Sequence, residues 1–270
     1  MSCVWCQNPE TRSPFQQIAY DAADCIGCFR CMQVCGNQAV KIQPDGSYPV
    51  DRKKCGQCGK CIGVCQSHAL RFAGTAYTAD ELCQKILKDA VFFKNSNGGV
   101  TFSGGEPTLH MAYLSELAGK LKENGIHLCI ETCGFYDNES FEKKILPFLD
   151  LVYFDIKIFD SENHKKYCGV SNDHILQNFE VLFRNKKVEV LPRIPLIPGI
   201  TTDRDNLIAI RNFFKHCGVK EIGLLPYNPL WLSKLPGINA SLDYKRAEWM
   251  TADEKNEVKE IFRDFTFRDF

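Results

Sequence analysis

Eight of the fifteen cysteines fall in two runs of a single pattern, and no other feature narrows the possible folds as far. CIGCFRCMQVC carries Cys25, Cys28, Cys31 and Cys35; CGQCGKCIGVC carries Cys55, Cys58, Cys61 and Cys65. Both read C-x2-C-x2-C-x3-C. The stretches behind them also correspond, NQAVKI (37–42) aligning with SHALRF (67–72), so a unit is duplicated at a spacing of 30. Three thiolates on one tight loop can hold three corners of an iron–sulfur cube, and the last cysteine of each run typically crosses to the other cluster. That rule assigns Cys25, Cys28, Cys31 and Cys65 to one [4Fe–4S] cluster, and Cys55, Cys58, Cys61 and Cys35 to a second. Zinc sites favour two separated C-x2-C pairs. A secreted disulfide scaffold is short and spreads its cysteines through the fold. Here ten lie in the first 65 residues, and the other five (Cys83, Cys129, Cys133, Cys168, Cys217) are scattered. The scattered five read as structural, with Cys83 and Cys129 in apolar patterns.

The segment 21–73 resembles a bacterial two-cluster ferredoxin. With four protein ligands per cluster, every iron is closed to substrate, so this part passes electrons. The rest of the chain is large enough to bury its own core. Acidic and basic residues balance at 33 each, so no global positive field favours nucleic acid or an anionic membrane. No apolar stretch nears the roughly 20 residues that span a bilayer, and no secretory leader is present, which implies a cytoplasmic protein.

From Thr75 onward the pattern alternates. GVTFS, IHLCIET, LVYFDIK, VEVLPRI and EIGLLPY read as short buried strands. Helical patterns cover 79–94, 109–124, 140–149, 173–185 and 203–216, with Gly125 and Gly218 as stops and a last polar helix over 251–265. Five βα units predict an α/β fold with a parallel sheet, curved or closed into a barrel.

In such folds ligand-binding groups collect at the carboxyl ends of the strands. The first end is SGGEP, with Gly104, Gly105 and Glu106. The second is Glu131 and Thr132; the third is Asp155 and Lys157, two apart and so on one face, with Phe154, Ile156 and Ile158 on the other. The fourth carries Arg193 and the fifth ends at Asn228. Carboxylates for an ammonium, Lys and Arg for a carboxylate, and glycine amides for edge contacts suit a small zwitterion. The six histidines form no ligating pair and carry no assigned role.

These residues resemble the radical S-adenosylmethionine (SAM) superfamily, and within it the glycyl radical enzyme activating enzymes of the pyruvate formate-lyase activase type. SGGEP is similar to that family's methionine-amino motif. FDIK resembles its strand contributing Asp and Lys, RIPLIPGIT its Arg strand and following loop, and LLPYN its last cofactor contact, where relatives often have His instead of Asn228. SCVWCQNPE resembles its cluster loop, supplying Cys3 and Cys6 with Trp5, Gln7, Asn8 and Pro9 in register. The family's first cluster cysteine would lie two residues before Met1, which implies either a start assigned too late or a shortened protein.

The resemblance implies a partial (β/α)6 radical SAM barrel over 74–270, a ferredoxin-like insert over 21–73, and in 1–20 the remnant of the cluster loop. It implies three [4Fe–4S] clusters in the full-length protein and SAM as cofactor. Cys3 and Cys6 would hold the radical cluster, and Glu106, Asp155 and Lys157 would act in catalysis. Trp5, Gln7, Gly104, Gly105, Glu106, Glu131, Thr132, Asp155, Ile156, Lys157, Arg193 and Asn228 would contact the cofactor. The implied reaction is reductive cleavage of SAM to methionine and a 5′-deoxyadenosyl radical, which takes hydrogen from a glycine of a partner enzyme. A flavodoxin or ferredoxin would donate electrons, under anaerobic conditions. Two alternatives stay open: another radical SAM enzyme (an anaerobic ribonucleotide reductase activase or a small-molecule enzyme), or an electron carrier without SAM chemistry.

Overall fold

Alternating apolar strands and capped helices build one layer system, and the cysteine runs build another. The computed structural model of the chain describes residues 1–13 and 15–268. It divides into a larger unit of Met1–Val4, Tyr77–Asn228 and the chain from Glu248 onward, and a smaller unit of Trp5–Ala76 and Pro229–Ala247. The segment 21–73 lies wholly inside the smaller unit, which also takes in 5–20 and, from far along the chain, 229–247.

In the smaller unit β1 (Ile18–Tyr20) leads into the first cysteine run, whose third thiol sits on the single turn α1 (Arg30–Gln33). The second run places its third thiol on α2 (Lys60–Gly63), and β2 (Leu70–Phe72) follows. β2 pairs antiparallel with β1 through Tyr20↔Leu70 and Ile18↔Phe72, and Val40 bridges Val50 antiparallel. Moving Tyr20 and Leu70 by the thirty-residue repeat gives Val50 and Val40, so the strand leading into each run pairs with the strand trailing the other. The backbone repeats as well: φ is positive at Gly27 and Gln57, at Phe29 and Gly59, and at Gln38 and His68. The core gathers Ile18, Tyr20, Val40, Val50, Ala69 and Leu70 around Cys31 and Cys61. A helical turn at Lys234–Gly237 closes the unit, where the Arg52 guanidinium donates to the Ile238 carbonyl.

The larger unit begins with α3 (Ala79–Leu87), opened by a Thr78–Glu81 capping box, and α4 (Ala90–Ser96). Then come β3 (Gly99–Phe102), α5 (Met111–Glu123), β4 (His127–Thr132), α6 (Asn138–Lys144) and β5 (Leu151–Asp155). After α7 (Ser161–Cys168) and α8 (Asp173–Asn185) follow β6 (Glu189–Leu196), α9 (Arg204–Cys217) and β7 (Glu221–Pro226). Last are α10 (Ala252–Ile261), with its own capping box at Thr251 and Glu254, and the two-residue β8 (Thr266–Phe267). β3 to β8 form one open parallel sheet in sequence order.

Alternation along the strands sorts the two faces. Leu128, Ile130, Val152, Phe154, Ile194, Leu196, Ile222 and Leu224 are all fully buried, and Phe179 of α8 packs its ring against Phe154, Phe183, Phe213 and Phe214 at centroid distances of 5.2, 5.4, 5.6 and 5.7 Å. The other face carries half-buried polar side chains and is where the site lies.

The helical pattern over 79–94 breaks at Lys88–Asp89 into α3 and α4. The expected 109–124 helix starts at Met111, because Pro107 nucleates a separate 3-10 turn. Over 140–149 the helix stops at Lys144, ahead of a 3-10 turn containing Pro147, which lacks the amide hydrogen a further α turn needs. Among the described residues no helix is long and apolar enough to cross a membrane.

Candidate functional site

The strand ends of the larger unit converge on Arg193. Parallel register sets Arg193 of β6 beside Asp155 of β5 and Tyr153 beside Glu131 of β4. Arg193 Nε donates to Asp155 Oδ1 at 3.0 Å and Nη1 to Glu131 Oε1 at 2.6 Å, while the guanidinium lies 4.7 Å from the centre of the Tyr153 ring. Ser103, just past β3, donates to the other Glu131 oxygen. Burial works against the charge on Arg193, but the two carboxylates hold it firmly protonated. Lys157 Nζ stands 3.5 Å from Asp155 Oδ2, a long contact that leaves donor capacity. Burial disfavours that ammonium, yet Asp155 and neighbouring thiols raise it above the usual lysine range. Two cations and two carboxylates therefore offset one another at the rim, an arrangement that can exchange partners with a ligand bearing both charges.

Glu106 has a different posture from the one expected. Its Oε1 accepts from Thr108 N (3.2 Å), Thr108 Oγ1 (2.7 Å) and Thr132 Oγ1 (2.9 Å), and Oε2 accepts from Cys133 N at 2.8 Å. A carboxylate has about four lone-pair sites, so these four donors occupy them, and Glu106 ties the β3 loop to the end of β4. Thr132 is buried and takes the Gly134 amide on its hydroxyl at 3.0 Å, so it braces Glu106 and does not face the rim. Ile156 lies on the helix side, as alternation expects: its side chain is 1% exposed and turned away from the strand-end groups, against the cofactor contact the resemblance implies for it, and its N–H is given to the Arg193 carbonyl. Phe154 and Ile158 lie on that buried side as expected. Gly104 (φ 115) and Gly105 are exposed, with open space where a Gly104 Cβ would stand. Asn228 is half-buried just beyond β7.

Cys3 belongs to the same unit. Ser2 N and Val4 N donate to the Cys168 and Tyr167 carbonyls, at 2.8 and 3.0 Å, holding residues 2–4 along the end of α7. The Cys3 thiol is buried; its hydrogen bond with Cys168, aided by the Lys157 charge, outweighs burial and shifts it towards the thiolate. Trp5, Cys6 and Gln7 lie in the smaller unit, with Trp5 buried and Gln7 exposed. There Lys234 Nζ reaches the Gln7 carbonyl (3.2 Å), Asn8 Oδ1 (3.1 Å) and Glu10 Oε1 (3.2 Å), fastening the loop that begins at Cys6.

The fit of the cysteine runs to two cubes is testable on their surroundings. Cys25, Cys28, Cys31 and Cys65 line one cavity, together with Tyr20, Ile26, Phe29, Ile42 and Leu70. These are the four thiols that the crossing rule joins. Burial, then the neighbouring Cys65 and Cys28, push the Cys31 thiol up; burial, with Cys55 adding, pushes Cys61 up to about 11. Amide donors already aim at sulfur: Ala39 N at Cys35 Sγ (3.2 Å), Leu70 N at Cys65 Sγ (3.4 Å) and Gln57 N at Cys55 Sγ (3.4 Å). Such bonds tune cluster potentials. Among the described residues no three His, Cys, Asp or Glu side chains are placed to hold a single ion. Four thiolates at about 2.3 Å from one zinc would stand within roughly 4 Å of each other. Thiols spread around a cavity suit a cube instead.

Sequence reasoning missed Ser103, Tyr153, Cys168, Gly223 and Lys234. Each acts through a neighbour on another element, and only the strand alternation of Tyr153 with Asp155 carried a local signal.

The Radical SAM superfamily profile matches residues 60–209, and the 4Fe-4S dicluster domain profile matches 24–69. Among characterised proteins the chain is similar to the indoleacetate decarboxylase activating enzyme of Tractidigestivibacter scatoligenes, at 35% identity over 87% of this chain and 76% of that protein. It is similar to the 4-hydroxyphenylacetate decarboxylase activating enzyme of Clostridioides difficile strain CD196, at 34% identity over 98% and 85% of the two chains. The trans-4-hydroxy-L-proline dehydratase activating enzyme of Clostridioides difficile is 32% identical over 99% and 88%. A domain of pyruvate-formate lyase-activating enzyme from Bacteroides vulgatus ATCC 8482 superposes with a TM-score of 0.52 and 25% identity, covering 64% of this chain and 99% of that one.

Proposed function

We propose, from the premise that the chain belongs to the radical SAM superfamily and within it to the glycyl radical enzyme activating enzymes, a division of labour among its residues. When bound, a [4Fe–4S] cluster with one open iron supplies the electron that splits SAM into methionine and a 5′-deoxyadenosyl radical, which takes hydrogen from a glycine of the partner enzyme. Cys3 and Cys6 hold that cluster. The two cysteine runs hold the other two, with Cys35 and Cys65 crossing.

The observation that carries this reading is the paired charge at the strand ends. Lys157, loosely held by Asp155, turns its ammonium to the methionine carboxylate, and Arg193 fixes Asp155 and Glu131 so that neither drifts. The exposed Gly104–Gly105 backbone and, by exchange of one of its present donors, the Glu106 carboxylate receive the methionine ammonium. Trp5 and Gln7 contact the cofactor from the cluster loop and Asn228 from the last strand. Fixing both ends of the amino acid holds the sulfonium at one distance from the electron source; the protein's share of the chemistry is this orientation.

A flavodoxin or a ferredoxin supplies the electrons, and the closed clusters of the smaller unit relay them. The test is anaerobic: the protein loaded with iron and sulfide is given dithionite and SAM, and then a candidate partner. Release of 5′-deoxyadenosine and a glycine-centred doublet by electron paramagnetic resonance are expected. Deoxyadenosine with no doublet on any candidate partner would assign another radical SAM reaction; no deoxyadenosine at all would leave electron carriage as the function.

A further inference from the structure

The loop that begins at Cys6 has little apolar burial to hold it. From Gln7 to Arg12 only Pro9 is buried, so polar ties set where the loop stands. Two of them come from elsewhere in the cysteine-rich unit. Lys234 gives the three donors of its ammonium to Gln7, Asn8 and Glu10. Gln17 Nε2, one residue before β1, donates to the Glu10 carbonyl at 2.9 Å.

The far end of the turn that carries Lys234 rests on the strands leading into the cysteine runs. A Cβ on Gly237 would stand 3.0 Å from the Tyr20 carbonyl oxygen of β1, so the turn packs backbone against backbone there. The next carbonyl, of Ile238, takes the guanidinium of Arg52, which lies two residues past Val50, the repeat counterpart of Tyr20. Trp231, Ile238 and Leu242 are buried and seat the segment on either side of the turn. One short turn therefore joins the loop of Cys6 to the leading strands of both halves, all within one compact unit. Electron transfer between fixed centres weakens steeply with each added ångström of separation, so whatever sets this spacing sets the rate of the relay.

We propose that the turn Lys234–Gly237 is a positioning clamp for electron relay, fixing the separation between the cluster ligated through Cys6 and the two clusters of the cysteine runs. Lys234 and Gly237 are its positioning residues, one at each end. The proposal rests on the radical SAM reading above. Each SAM cleavage takes one electron into the sulfonium and breaks one carbon–sulfur bond. With no outside donor present, every cleavage after the first needs an electron passed across the clamp.

In the test, the iron-loaded protein is fully reduced under anaerobic conditions, freed of reductant and mixed with SAM. Deoxyadenosine should appear in a fast phase, drawn from the electron already at the Cys6 cluster, and then in a later phase drawn from the run clusters. The paramagnetic signals of the run clusters, read in freeze-quenched samples, should decay with the later phase. Gly237→Ala presses on the Tyr20 carbonyl without touching the cluster loop. In this variant iron content and the fast phase should be kept. The later phase and the signal decay should slow about fivefold, equivalent to about 1 kcal/mol of strain on the clamp. Arg52→Met, which releases the Ile238 carbonyl, should slow the later phase in the same sense. An unchanged later phase in both variants would overturn the proposal. So would a fast phase slowed to the same degree, which marks a general structural effect. A failure of the underlying reading looks different, because the parent protein itself would then release no deoxyadenosine, and the clamp would lose its role along with the SAM chemistry.

Discussion

Gly223 of β7 stands in register with Arg193 of β6, and a methyl group on Gly223 would lie 3.0 Å from Arg193 Cγ. The absence of a side chain lets the arginine lie across the strand and reach Glu131. Gly223→Ala is expected to move the guanidinium by a few tenths of an ångström and lengthen its ion pairs. SAM affinity, measured by calorimetry, should fall by about 1 kcal/mol, or roughly fivefold. The melting profile should change little.

Lys234 is expected to act on the cluster loop. Lys234→Met keeps the aliphatic stem and removes three contacts to Gln7, Asn8 and Glu10. The side chain is partly exposed, so the loss should be close to 1 kcal/mol. Amide exchange over residues 7–10 should quicken about fivefold. Iron bound through Cys3 and Cys6 should drop while iron in the two cysteine runs is retained.

Crossing of the fourth ligand predicts a pattern that a pair of independent sites would not give. Cys65→Ala should abolish the same cluster as Cys31→Ala, although the two lie in different runs, and Cys35→Ala should abolish the cluster of Cys61. Loss of about four irons from each variant, with distinct paramagnetic signals remaining, is the measurement. If Cys65→Ala instead matched Cys61→Ala, the assignment would be wrong.

Much of this was legible in the sequence, because the cysteine spacing and the strand ends are local signals. Asp155 and Lys157 share a face by alternation alone, and the structure places Phe154, Ile156 and Ile158 on the opposite, buried side. That same alternation removes the Ile156 side chain from the cofactor. Other features depend on distant chain. Glu106 reads as a free carboxylate until Thr132 and Cys133, 26 and 27 residues on, take its oxygens. The helix Ser161–Cys168 has only His164 and Cys168 buried, too thin an apolar stripe to stand out. Nothing local marks 229–247 as part of the cysteine-rich unit.

Asp150 predicts an acid-limb effect. Its carboxylate accepts from Lys122 Nζ at 2.9 and 2.8 Å and from Leu128 N at 2.7 Å, pinning α5 to the β4–β5 edge. Burial opposes the charge, but these donors hold the carboxyl below its usual range. A lowered value in the folded state stabilises above the unfolded value of about 3.9 and is lost as pH falls through the folded one. Asp150→Asn should therefore lower stability at neutral pH by about 1–2 kcal/mol. It should also flatten the acid limb below about pH 4, read by circular dichroism against the parent.

The interleaved strands of the cysteine-rich unit also bear on its integrity. One copy of the thirty-residue repeat leaves its leading and trailing strands without partners. Each strand pair is thus made of one strand from each half, so severing the chain between the repeats would leave two pieces that complete their sheets only by pairing with one another.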